Sequence, residues 1–159
     1  MDPFYIWLES TSLSVWVRES TSVFAFPIIL SLHTIGMGFV VGVSAAFNLR
    51  ILGVAPGVPL LEIKRFFPVL WAAFWLNAAS GMVLLIGYPT KAFTNPLFYV
   101  KLALIALALV GFRALRRAVF ENASPERSKI LAAASLACWA SVITSGRFLA
   151  YTYSKLTTI

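Results

Sequence analysis

The feature that most limits this chain is a long run without charge. Residues 23–49, VFAFPIILSLHTIGMGFVVGVSAAFNL, contain no Lys, Arg, Asp or Glu. The only ionisable group among these 27 residues is His33, the one histidine of the protein. A helix rises about 1.5 Å per residue and bilayer hydrocarbon is about 30 Å thick, so the run spans a membrane with room for tilt. Pro27 near its start falls where a missing N–H costs least. Gly38, Gly42 and Ala46 recur every four residues, and this spacing predicts a face on which a neighbouring helix approaches closely. An imidazole inside such a helix is expensive, so His33 is the first candidate for function.

Composition extends the reading to the whole chain. Of its 159 residues, 60% are hydrophobic and the mean hydropathy is +0.85, too apolar for a water-soluble domain. The length accommodates four spans of about 20 residues and predicts one transmembrane domain over residues 1–159. A single cysteine, Cys138, excludes an intramolecular disulfide. The acidic N-terminus lacks the basic stretch of a secretory signal and is expected to be retained. A net charge of +7 raises the question of nucleic acid, but no basic stripe interleaved with exposed aromatics is present, and no nucleic-acid partner is expected.

In chain order, residues 4–20 are too polar to span and read as one short interfacial helix, with Trp7 and Trp16 suited to the headgroup region. Spans follow at about residues 23–49, 66–88, 97–117 and 130–153, giving an all-α integral membrane protein with a four-helix transmembrane bundle. The stretch GVAPGVP at 53–59 reads as a loop, and YPTKAFTNP at 88–96 as a turn rich in helix breakers. The fourth span is dense in Ala and Ser and is expected to pack on several sides. Eight of the thirteen basic residues (Arg50, Lys64, Arg65, Arg113, Arg116, Arg117, Arg127 and Lys129) fall in or beside the 1–2 and 3–4 connections. The others are Arg18, Lys91, Lys101, Arg147 and Lys155. Positive-inside then puts both termini outside the cytoplasm.

That topology brings the intramembrane polar groups into the outer half of the bundle. By helical rise His33 lies roughly 15 Å deep, Lys101 about 6–8 Å, and Arg147 and Met82 about 9 Å. One imidazole and two cations suit a flat anionic ligand, and b-type haem fits: His33 ligates the metal while Lys101 and Arg147 pair with the propionates. Trp71, Phe74, Trp75 and Trp139 are candidates to line the macrocycle, and Met82 is a candidate opposite ligand. Met37, one turn from His33 on the same helix, cannot reach the far face of the same iron.

Each residue also has a plainer explanation. His33 can hydrogen-bond to Ser or Asn on another helix, Lys101 and Arg147 can snorkel to headgroups, and the tryptophans and Cys138 can simply pack. His33, Met37 and Met82 also form a set suited to copper(I). Three functions therefore stand: haem-dependent electron transfer, copper handling, and a non-catalytic accessory subunit of a larger respiratory or photosynthetic complex. Membrane lipids are expected partners in all three, together with further copies of the chain or a larger membrane assembly.

The stretches WVRES (16–20), LHTIGMGFVVG (32–42), NLRILG (48–53), SGMVLL (80–85), NPLFYVKLALIALAL (95–109) and SGRFLAYT (145–152) resemble a family of small bacterial inner-membrane proteins of unknown function. More distantly, the pattern resembles the membrane protoporphyrinogen oxidase, which carries b-type haem, and the copper-resistance membrane protein D group. The resemblance to that oxidase implies a functional pair of a first-span histidine and a third-span lysine, matched here by His33 and Lys101. The Trp-x-x-Gly and second histidine of the oxidase have no counterpart in this sequence.

Overall fold

The computed structural model describes residues 3–121 and 124–156, apart from the side chains of residues 150 and 153–156; the Lys155 side chain thus lies outside the described residues. All regular structure within them is helical: α1 (Pro3–Glu9), α2 (Ser12–Glu19), α3 (Phe26–Ile51), α4 (Leu60–Lys64), α5 (Phe67–Gly87), α6 (Pro89–Thr94), α7 (Pro96–Phe120) and α8 (Pro125–Leu156). Four stretches are long and apolar enough to cross a membrane: Phe26–Ile51, Leu60–Gly87, Pro96–Phe120 and Pro125–Leu149. The protein is an all-α, multi-pass membrane protein.

Its contacts divide the chain into two compact units, Met1–Val40 with Pro68–Asn95, and Val41–Phe67 with Pro96–Ile159. In the first, the expected interfacial helix is two helices. Thr11 breaks it: its hydroxyl donates to the Leu8 carbonyl at 2.7 Å, closing α1, and accepts from the Ser14 N–H at 3.4 Å, capping α2. Arg18 then ties α2 back to α1, donating to the Glu9 carbonyl at 3.0 Å with the Glu9 carboxylate 3.8 Å away. The expected turn at 88–96 contains helix α6. Pro89 sits at its first position, where the missing N–H has no intrahelical partner to lose, so proline starts a helix here. Tyr5 of α1 stacks on Phe93 of α6 with ring centroids 5.4 Å apart.

The second unit is built on the antiparallel pair α7 and α8. Their buried residues recur at three- and four-residue steps: Ala108, Phe112, Leu115 and Ala118 on α7, and Ser128, Ala132, Ser135, Trp139, Val142 and Ser145 on α8. This is the seam of helices crossing at a shallow angle. The expectation that α8 packs on several sides does not hold, because Ala133, Ala134, Ala137, Ala140 and Thr144 are exposed. At one end Phe47, Phe67 and Phe112 meet edge to face, with centroids 5.2–5.9 Å apart. Each such pair contributes about 0.5–1.5 kcal/mol beyond its area.

The small-residue face of α3 is also a correction. A Cβ built on Gly38 or Gly42 would meet nothing within 4 Å, and both are exposed with Ala46. The close approach occurs instead at Gly36, where a Cβ would lie 3.0 Å from the Ala73 carbonyl oxygen and 3.1 Å from the Asn77 nitrogen. Hydrocarbon and a packed helix present the same apolar surface to a side chain, so periodicity alone does not say which small face is covered.

Replacing Phe112, 1% exposed, by alanine removes both edge contacts at the aromatic end. The expected loss is about 2 kcal/mol, below the roughly 3–5 kcal/mol of a water-soluble core because the unpacked chain in lipid is already in apolar surroundings. Reversible unfolding in mixed micelles measures it.

Candidate functional site

His33 sits on α3 in the first unit, half-buried, one turn before the crossing at Gly36. Its Nδ1 is 3.0 Å from the main-chain carbonyl oxygen of Asn77 and 3.2 Å from Ser80 Oγ. A carbonyl only accepts, so Nδ1 carries the hydrogen, and in the neutral ring the lone pair is on Nε2. Ser80 is oriented to receive a share of the same hydrogen, because its own hydroxyl donates to the Leu76 carbonyl at 2.7 Å.

Asn77 answers in kind: its Nδ2 donates to the main-chain carbonyl of His33 at 2.6 Å. Each residue thus gives a side-chain hydrogen to the backbone of the other. Two glycines make the room. Gly36 lets the backbones approach, and a Cβ on Gly81 would stand 2.9 Å from His33 Cε1 and 3.3 Å from Nδ1. The reciprocal pair clamps α3 to α5 and fixes both position and tautomer of the imidazole.

Trp75 and Met82 are not part of these surroundings. At about 100° per residue, Met82 points roughly 140–200° away from Asn77 and Ser80, and Trp75 shares its stripe seven residues earlier. Both are exposed, at 67% and 66%, whereas Ser80 is 7% exposed. Trp71, Phe74 and Trp75 form an edge-to-face run along α5, with centroids 5.8 and 5.4 Å apart. Met37 is half-buried one turn beyond His33.

Lys101 and Arg147 belong to the second unit, on α7 and α8. The end of the Lys101 side chain crosses α8 at Gly146, where a Cβ would lie 3.7 Å from Cε and from Nζ. Arg147, the next residue, is exposed, with its guanidinium 5.3 Å from the centre of the Tyr151 ring. The two cations therefore stand at one level of this unit. Trp139 is 3% exposed and Cys138 donates its thiol to the Leu104 carbonyl at 3.3 Å. Both lie in the helix pair rather than at a reactive surface.

Among the described residues, no three His, Cys, Asp or Glu side chains come together as a metal-binding group. No protein-family model matches the chain, and no curated protein or solved structure matches it either. The candidate site is thus defined by its own geometry. Asn77 and Ser80 are the Asn and Ser of another helix to which His33 was expected to be able to hydrogen-bond. The close approaches at Gly36 and Gly81 were not foreseen, although Gly81 clusters with Asn77 and Ser80 within two turns of one apolar span.

Gly81→Ala is expected to destabilise the protein by about 1–3 kcal/mol, because the ring it meets is pinned by hydrogen bonds and cannot swing aside freely. In a His33→Ala background the same substitution should cost almost nothing, a coupling that a double-mutant cycle reads directly.

Proposed function

We propose that the protein is an integral protein of the bacterial inner membrane that binds b-type haem and transfers electrons, with His33 as the residue that would hold the haem through Nε2. The observation that carries this reading is the Nδ1–H donated to the Asn77 carbonyl at 3.0 Å. Ligating histidines are held this way, by a carbonyl that fixes the tautomer and raises the basicity of the other nitrogen. Donor arithmetic favours the same cofactor. A bare metal ion draws three or four ligands from protein, whereas a porphyrin brings four nitrogens and asks for one or two more. Copper would need His33, Met37 and Met82 to converge, and Met82 faces the other way. When bound, haem would supply one-electron chemistry. The chain's own work is to orient the imidazole, through the Asn77 carbonyl and Ser80.

A second reading rests on the other half of the same geometry. Asn77 Nδ2 donating to the His33 carbonyl at 2.6 Å makes the pair a helix clasp that needs no ligand, as an accessory subunit of a larger complex would have. Purified protein separates the two. Under the haem reading the detergent-solubilised protein shows a Soret band, as isolated or after addition of haemin. His33→Ala abolishes that band while the protein still inserts. A spectrum that is unchanged in His33→Ala, or a wild type that takes up no haem, leaves His33 with the clasp alone.

We also propose that both termini face the periplasm, supported by the eight basic residues at the 1–2 and 3–4 connections. In a Cys138→Ser background, Gly57→Cys and Ser124→Cys are expected to resist impermeant thiol reagents applied from the periplasm and to react after the inner membrane is opened.

A further inference from the structure

The second unit contains a polar arrangement that neither haem nor the His33 clasp uses. Asn48, on α3, is completely buried, and its Nδ2 donates to Ser135 Oγ of α8 at 3.0 Å. Its Oδ1 has no hydrogen-bond partner. Turning the amide over does not help, because one of its two polar atoms then faces Ser135 and the other is left in the same place. One turn earlier on α3, Ser44 is also completely buried and its hydroxyl is unmet. This is unusual within the chain: Ser31, Ser80 and Ser141 all return their hydroxyls to the carbonyl one turn back, at 2.7–2.9 Å. One turn after Ser135 on α8, Trp139 is 3% exposed and its indole N–H is unmet as well.

Register brings these groups together. The first and fourth spans of an up-and-down protein run in opposite directions. The Asn48–Ser135 bond therefore sets Ser44 opposite Trp139, one turn away from Asn48 opposite Ser135. Three orphan groups thus lie within about one helical turn of the Asn48–Ser135 bond: a donor (indole N–H), an acceptor (amide oxygen) and a hydroxyl that does both. No charged side chain belongs to the set. A cation would ask for carboxylates or several carbonyls, and an anion for more donors. One donor, one acceptor and one hydroxyl make the complement of a water molecule, which typically makes about three hydrogen bonds when buried.

We propose that the second unit holds an ordered water shared by Ser44, Asn48 and Trp139. The water accepts the Trp139 N–H, donates to Asn48 Oδ1 and exchanges a hydrogen bond with the Ser44 hydroxyl. It completes the Asn48–Ser135 bond into a continuous polar rung between α3 and α8 and so fixes their register inside hydrocarbon.

Two measurements on the full chain in detergent test this. The first is radiolytic hydroxyl labelling with mass spectrometry, in which a water next to a buried ring supplies the radical. Trp139 is expected to be oxidised despite its burial, and Asn48→Leu, which fills the volume with an apolar group, should reduce that oxidation several-fold. The second is thermal unfolding of Ser44→Ala, a substitution small enough to fold. Losing one bond to a shared water should lower the midpoint by about 2–4 °C, whereas removing a hydroxyl from a dry site should leave the midpoint unchanged or raise it. Trp139 left unlabelled, labelling that persists in Asn48→Leu, or an unchanged or raised midpoint in Ser44→Ala would each overturn the proposal.

Discussion

Hydrocarbon gives a polar side chain nothing to bond to, so every donor and acceptor inside a span must be answered by the protein or by something the protein holds. The His33–Asn77 pair is the most complete answer in this chain. Two side chains that would each be a liability alone are joined so that each satisfies the other's backbone, with Gly36 and Gly81 giving up side-chain volume to allow it. Hydrogen bonds between membrane helices average only about 0.6 kcal/mol, because the separated helices also find partners. What the pair supplies is less a large stabilisation than a single permitted registry between α3 and α5. The fixed imidazole orientation of His33 follows from that registry.

The second unit meets the same constraint differently. Its seam is closed by Phe47, Phe67 and Phe112 at one end and by small residues of α8 along its length, so that dispersion between well-fitted surfaces replaces the hydrophobic effect. The polar residues on this seam are all neutral. Lys101 lies across Gly146 of α8.

The four spans were legible because length and the absence of charge are read directly from residues such as those of 23–49. The short elements were less so. Thr11 divides the N-terminal segment through hydrogen bonds to its own neighbours, a choice that composition does not reveal. Pro89 was counted as a breaker although at the first position of α6 it promotes a helix. The site was legible only in part. His33 stood out as the lone ionisable group of its span, but faces did not, because in an apolar helix the side toward lipid and the side toward protein use the same residues. Gly38 and Gly42 are exposed, and Met82 and Trp75 lie away from Asn77 and Ser80 on α5. Asn77, Ser80 and Gly81, three and four residues apart on one face, carried the information that an apolar count discards.

The α7–α8 hairpin has a consequence for biogenesis. Its two helices are joined across residues 121–124, and Arg113, Arg116, Arg117, Arg127 and Lys129 flank that connection. Threading a lysine or arginine through the bilayer centre costs about 2.5–3.5 kcal/mol each on an insertion scale, so five of them oppose passage of this tip across the membrane. On the proposed topology the tip would stay in the compartment where it is synthesised, and the two helices would enter the bilayer together as a loop. Their seam of Phe112, Leu115, Trp139 and Val142 can close before lipid has solvated either face. On that topology, insertion and folding of this half of the protein would be coupled.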